Sequence, residues 1–256
     1  MRLPGLRNNP GSLTYLKRLF HPGGDIVAEQ ISRENLALLI ASHELIAVSD
    51  LLYESYGSRL KLIEVVRHPV HLFNNVRDYT STFERAREFT LSYEVGGVKV
   101  PWFAAKWADE FLASSFTDRA LLSIARMQSD MINAIDSINA AQKPLLVLSF
   151  ENTVLQPQES INRLEKFLGR QSTRRTKRVL KQQNLPRQQI SAGKATSSYS
   201  FTSSSSSSEN EIYKKILSEI QASGSASAIA EFRSAIRTYN SRWPSQLSEL
   251  EKLWTE

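Results

Sequence analysis

The chain has 256 residues, 41% hydrophobic and 23% charged, with a formal net charge of +6 and no cysteine. That length and apolar content suffice for a buried core without a metal or disulfide staple. The lack of cysteine excludes disulfides, zinc-thiolate sites, iron-sulfur clusters and a cysteine nucleophile.

No run approaches the roughly 20 apolar residues that span a bilayer, and the opening MRLPGLRNNPGS lacks the apolar segment of a secretory signal. A cytoplasmic protein without a membrane span is the expectation. Residues 34–54 predict two helices separated by a break near 41–44, the second opened by Ser49 or Asp50 as N-cap. Leu60, Leu62, Ile63, Val65 and Val66 form a short, partly β-branched run that ends at a proline, the pattern of a strand buried in a parallel sheet. Pro69 suits the first turn of a helix, where its missing N–H is no loss, and residues 70–89 continue at helical spacing.

Residues 118–140 carry Leu121, Leu122, Ile124, Met127, Met131, Ile135 and Ile138 on one helical face. After Lys143-Pro144, LLVLSF reads as a second buried strand closed by Glu151, and SINRLEKFLG as a helix with Ser160 near its start and Gly169 at its stop. Alternation of strands and helices predicts an α/β fold, a parallel sheet flanked by helices, in a single domain over 1–256. Residues 196–210 are a serine-rich tract, expected to be a flexible loop, and the tail over 211–256 returns to helical spacing.

The charge is uneven. Residues 163–194 hold ten basic residues (Arg163, Lys166, Arg170, Arg174, Arg175, Lys177, Arg178, Lys181, Arg187, Lys194) against one acid, Glu165, so the remainder of the chain is net negative. A local anionic partner, whether a nucleotide phosphate, nucleic acid or an acidic glycan, is one reading, and a solvated helix face is the other. The segment contains only Phe167 as an aromatic, on the expected scaffold helix, which argues against base stacking on single-stranded nucleic acid.

Arg67 stands at the carboxyl end of the first predicted strand, where open α/β sheets bind ligands. A charge there needs an anion or an acidic side chain, with Glu64, Glu44 and Asp78 as the internal candidates. Asn75, eight residues on, offers an amide to the same anion.

Val65-Val66-Arg67-His68-Pro69 with Asn75 resembles the sulfotransferase superfamily, where an arginine at a strand end and a serine eight residues later grip the 3′-phosphate of 3′-phosphoadenosine 5′-phosphosulfate. Asparagine replaces the usual serine. Ser42-His43-Glu44 is similar to the family's Lys-Thr-His segment, which implies His43 as the base that deprotonates the acceptor hydroxyl; Glu29 is the competing candidate. The strand-acid-helix run ending FLG resembles family scaffold, and Ile190-Ser191-Ala192-Gly193-Lys194 resembles the late loop that closes over the 3′-phosphate.

The resemblance covers roughly residues 40–195. It implies a P-loop-like α/β fold, sulfuryl transfer from the nucleotide donor to a hydroxyl acceptor (glycan or small molecule), no metal, and no specific nucleic-acid partner. One element departs from it. The family's phosphosulfate loop follows a first strand, whereas here only Gly5 to Thr14 stands in its place, with four residues before it. A degenerate loop or an N-terminally shortened chain is the corresponding expectation, with binding of the nucleotide without transfer as the alternative function and a polyanion-binding module as the second.

Overall fold

The computed structural model describes residues 29, 31–33, 37, 39–41, 45–83, 91–190 and 208–244. It divides into two units, Met1–Glu44 and Leu45–Glu256. In the first, residues 29 and 31–33 are helical and Glu29 is exposed. His43 lies outside the described residues, as do Gly193 and Lys194 of the second unit.

The second unit opens with a 3-10 turn, Leu45–Val48, that runs directly into helix α1, Ser49–Tyr56. The N-cap is therefore Val48 rather than Ser49 or Asp50, because the preceding turn already shapes the entry and no side chain caps the helix. Strand β1 spans Leu62–Val66, and after Arg67 and His68 helix α2 runs from Pro69 to Thr82 with the proline in its first turn, as the sequence predicts.

A hairpin follows, β2 (Ser92–Val95) and β3 (Val98–Pro101), joined by Gly96 and Gly97 at φ 59° and 80°. Both turn residues need positive φ, the requirement of the tight hairpin turn that matches strand twist. A 3-10 segment, Trp102–Trp107, leads to α3, Ala108–Ala113. The longest helix, α4, covers Phe116–Ala140; Ser115 caps it, its hydroxyl accepting the Asp118 N–H at 3.1 Å.

Strand β4, Leu145–Ser149, passes without a gap into α5, Phe150–Leu155, so Glu151 belongs to a helix rather than to the strand end. Helix α6, Pro157–Leu168, starts three residues ahead of Ser160 because Pro157 occupies its first position, and it stops at Gly169 in the left-handed conformation, φ 68°. Then come α7 (Arg174–Gln182), α8 (Glu209–Ser223) and α9 (Ala226–Arg242). The class is α/β, mostly helical, with a small parallel sheet among the described residues.

The sheet is what positions the site. Strand β1 pairs parallel with β4 from Leu62↔Leu145 to Val66↔Ser149. The two carboxyl ends therefore finish level, with Arg67-His68 beside Phe150-Glu151. Leu62 and Val66 are buried against Ile135, Ile138 and Tyr239, but Val65 is 53% exposed. The expectation of a strand buried on both faces thus holds for one face, because β1 is an edge of a two-stranded sheet among the described residues.

Helix α4 packs against α2 and α9, and the largest apolar cluster joins Phe73, Leu121, Ile124, Ile220 and Phe232. The turn between α8 and α9 has almost no room. A Cβ on Gly224 would stand 2.9 Å from the Ile220 carbonyl oxygen, 3.0 Å from Ile229 and 3.1 Å from Leu121. Gly224→Ala should therefore lower stability by about 1–3 kcal/mol through overpacking, read as a lower urea midpoint with an unchanged slope.

Candidate functional site

The level strand ends bring together two groups of polar side chains, one around Glu151 and one around Arg67. The first group centres on Glu151, which has no exposed surface. Its carboxylate accepts the His68 backbone N–H at 2.8 Å, the Ser149 hydroxyl at 2.9 Å and the Tyr239 hydroxyl at 2.6 Å. Three donors from three segments compensate its lost hydration. Burial, reinforced by the Glu151 charge, pushes the Tyr239 phenol above its ordinary value. With no route to solvent, this carboxylate is a structural clamp and not a general base.

His68 belongs to the same group. It is the N-cap residue of α2, its Nδ1 accepting the Val70 N–H at 3.4 Å, and its ring is fully buried beside Tyr213 and Tyr239. An acceptor Nδ1 requires the neutral imidazole with its proton on Nε2. Burial, then the neighbouring His71, pulls its pKa down to about 3. Burial and the charge of Arg67 pull His71 down to about 4, although the Glu209 carboxylate lies 3.6 Å from its Nε2.

Arg67 forms the second group. Its guanidinium Cζ stacks 4.7 Å from the centre of the Phe150 ring, and its Nε is buried with no hydrogen-bond partner. No carboxylate of the described residues comes within ion-pair distance of it; Asp78 lies 3.5 Å from Arg77 instead. Three other arginines have carboxylate or carbonyl partners. Arg126 bonds Glu110 at 2.7 Å and Glu231 at 3.0 Å, Arg242 bonds Asp136 at 2.7 Å, and Arg119 bonds the Phe111 and Leu112 carbonyls at 2.6 and 2.9 Å. The Arg67 Nε is thus a buried donor without a partner among the described residues, and a guanidinium makes its strongest hydrogen bonds to anions. Burial pushes the Arg67 pKa below its ordinary value, Arg187 adds to that, and Glu151 and Glu209 oppose it.

Asn75 is half-buried on α2. It follows His71 by four residues and so shares that residue's helix face, the one that senses Arg67 electrostatically. Asn74 beside it has a buried Oδ1 with no partner.

Three contributors escape a reading of the sequence alone. Phe150, Arg187 and His71 join the site because of strand register and a loop that returns over α5, where the Arg187 N–H bonds the Val154 carbonyl at 2.8 Å. The pairing of Glu151 with His68 spans 83 positions. The aromatic group Trp102, Phe103, Trp107 and Phe111 is packing: Phe111 is 2% exposed and Trp107 donates its indole N–H to the Phe103 carbonyl at 3.1 Å. Among the described residues no His, Cys, Asp and Glu cluster could hold a metal ion, and no helix is long and apolar enough to cross a membrane. No family model, curated protein or solved structure matches the chain.

The two buried histidines carry a pH signature. Between the ordinary value of 6.5 and their folded values of about 3 and about 4, the unfolded chain binds more protons than the folded one. Stability should be full above pH 6.5 and fall below it, at up to about 1.4 kcal/mol per pH unit for each histidine. Urea denaturation from pH 7 to 4 should show this slope, and His71→Gln should make it shallower.

Proposed function

We propose that the chain is a sulfotransferase-type protein that binds 3′-phosphoadenosine 5′-phosphosulfate, with Arg67 and Asn75 holding the 3′-phosphate and the Gly193-Lys194 loop completing the grip. The observation that carries this reading is the guanidinium of Arg67, half-buried at the carboxyl end of β1 without an ion pair or hydrogen bond among the described residues. It is supported by the sequence around it, Val65-Val66-Arg67-His68-Pro69 followed by Asn75. A phosphate dianion supplies the charge-assisted bonds that the site lacks.

In the reaction proposed, an acceptor hydroxyl oxygen attacks the sulfur, the sulfur–oxygen bond to the 5′-phosphate breaks, and adenosine 3′,5′-bisphosphate leaves. The hydroxyl proton passes to His43. Positioning and charge stabilisation supply most of the rate in such in-line transfers, and no metal is invoked. The poor match of Gly5 to Thr14 to a phosphosulfate loop favours a second reading, a relative that binds the nucleotide without transferring sulfate.

Two measurements decide between these readings. Adenosine 3′,5′-bisphosphate should raise the melting temperature, adenosine 5′-monophosphate should do so far less, and Arg67→Ala should remove the shift. Equal stabilisation by both nucleotides, or a shift that survives in Arg67→Ala, contradicts the phosphate assignment. Where the protein transfers sulfate, His43→Ala should lower kcat by roughly two to four orders of magnitude with nucleotide affinity nearly unchanged, with Glu29→Gln as the control. Bisphosphate binding with no transfer to any hydroxyl acceptor selects the second reading.

A further inference from the structure

The strongest concentration of charge in the chain is on one short helix. Helix α7 carries Arg174, Arg175, Lys177, Arg178 and Lys181 and no acid, which is five of the chain's net six positive charges. At about 100° per residue these five fall within an arc of about 160° of the helix surface. Val179, 45% exposed, borders the arc next to Arg175, while Thr176 and Leu180 are half-buried on the opposite side. In the structure the arc is a solvated face of a helix with no buried residue.

Such a helix works against itself. Arg174 and Arg178 are four residues apart, as are Lys177 and Lys181, so like charges stand one turn from each other. Arg174 and Arg175 occupy the first turn, where the helix dipole favours acids and there is none. Nine residues are also too few for a helix to be stable by propensity alone, and a capping box between Thr173 and Thr176 is the local device that starts this one. Elsewhere Arg77, Arg126 and Arg242 are paired with Glu219, Glu110 and Asp136, whereas none of the five cations of α7 has an ion pair among the described residues. An anionic partner lying along the arc removes these penalties together.

The shape of the face selects among anions. A convex face on a single helix does not enclose a small anion or a thread of chain, and α7 has no aromatic side chain on which a base could stack. Val179, exposed beside Arg175, adds apolar surface that a polyanionic chain cannot bury but the boundary between headgroups and acyl chains can. We propose that α7 is a membrane-docking face, which lies flat against anionic phospholipid headgroups through its five cations. The association is peripheral and reversible, since each basic residue contributes about fivefold in partitioning and salt screens the attraction. No residue of α7 belongs to the Arg67 site, so this docking stands or falls independently of the function proposed above.

The test is co-sedimentation of the full chain with phosphatidylcholine vesicles that contain either no anionic lipid or about 30% phosphatidylserine. Wild type should bind the phosphatidylserine vesicles at about 0.1 M salt, at least about tenfold more weakly at about 0.5 M, and should not bind phosphatidylcholine alone. Lys177→Gln combined with Lys181→Gln should lower partitioning about 25-fold, and Val179→Ser by a smaller factor of about two to three. Lys214→Gln combined with Lys215→Gln removes two exposed charges from α8 and should change partitioning less than about twofold. The α7 variant should keep or raise the unliganded melting temperature, because it removes like-charged neighbours; a lower one contradicts the self-repelling helix on which the proposal stands. Equal binding to both vesicle types, binding to neither, or an equal loss in the α7 and α8 variants overturns the proposal. Binding of heparin or duplex DNA at the same salt with none to the vesicles assigns α7 to a polyanionic chain and overturns the membrane docking.

Discussion

A single buried carboxylate holds the carboxyl ends of the two parallel strands together. Glu151 has no contact with solvent, and its charge is tolerable only because the α2 cap, the end of β4 and helix α9 each send it a hydrogen bond. Charge-assisted bonds of this kind are the strong ones, and the loss of any one leaves a buried acceptor unpaired. The same three bonds fix the height of His68 against Phe150. Arg67 and its aromatic platform therefore inherit their geometry from a residue that itself has no chemical task.

Much of the fold is written in local pattern. The β-branched run ending at Val66, Pro69 in the first turn of α2, the apolar face of α4 and the stop at Gly169 all occur where spacing and turn chemistry put them. Gly96-Gly97 between Tyr93, Val95, Val98 and Val100 is an equally plain hairpin signal. The helix starts are less legible. Val48 and Gln156 cap α1 and α6 although neither bonds through its side chain, because a preceding turn and a proline set where those helices begin. The surroundings of Arg67 are less legible. Phe150 and Arg187 reach Arg67 only through register and a returning loop, which no local window contains.

The basic segment resolves into separate roles. Arg163 braces β4, donating to the Val147 carbonyl at 2.8 Å, and Arg187 stands at Phe150. Arg174, Arg175, Lys177, Arg178 and Lys181 are exposed along α7, a helix with no buried residue. For that helix the solvated-face reading describes the structure, and the excess charge of the segment is not concentrated at Arg67. The serine tract has a sharper edge than its composition suggests, since Ser208 forms a capping box with Glu211 and so sets where α8 begins.

The Glu151 clamp also has a temporal side. Its bonds to His68 and Tyr239 span 83 and 88 positions in opposite directions along the chain, and β1 cannot meet β4 until the intervening helices exist. Contacts of such separation form late, because loop closure must precede any reward from them. During synthesis the strands and the arginine at the end of β1 emerge long before Tyr239. Until α9 docks, the carboxylate between the strands lacks one of its three donors, so the strand-end geometry around Arg67 is completed at the last stage of folding rather than serving as its nucleus.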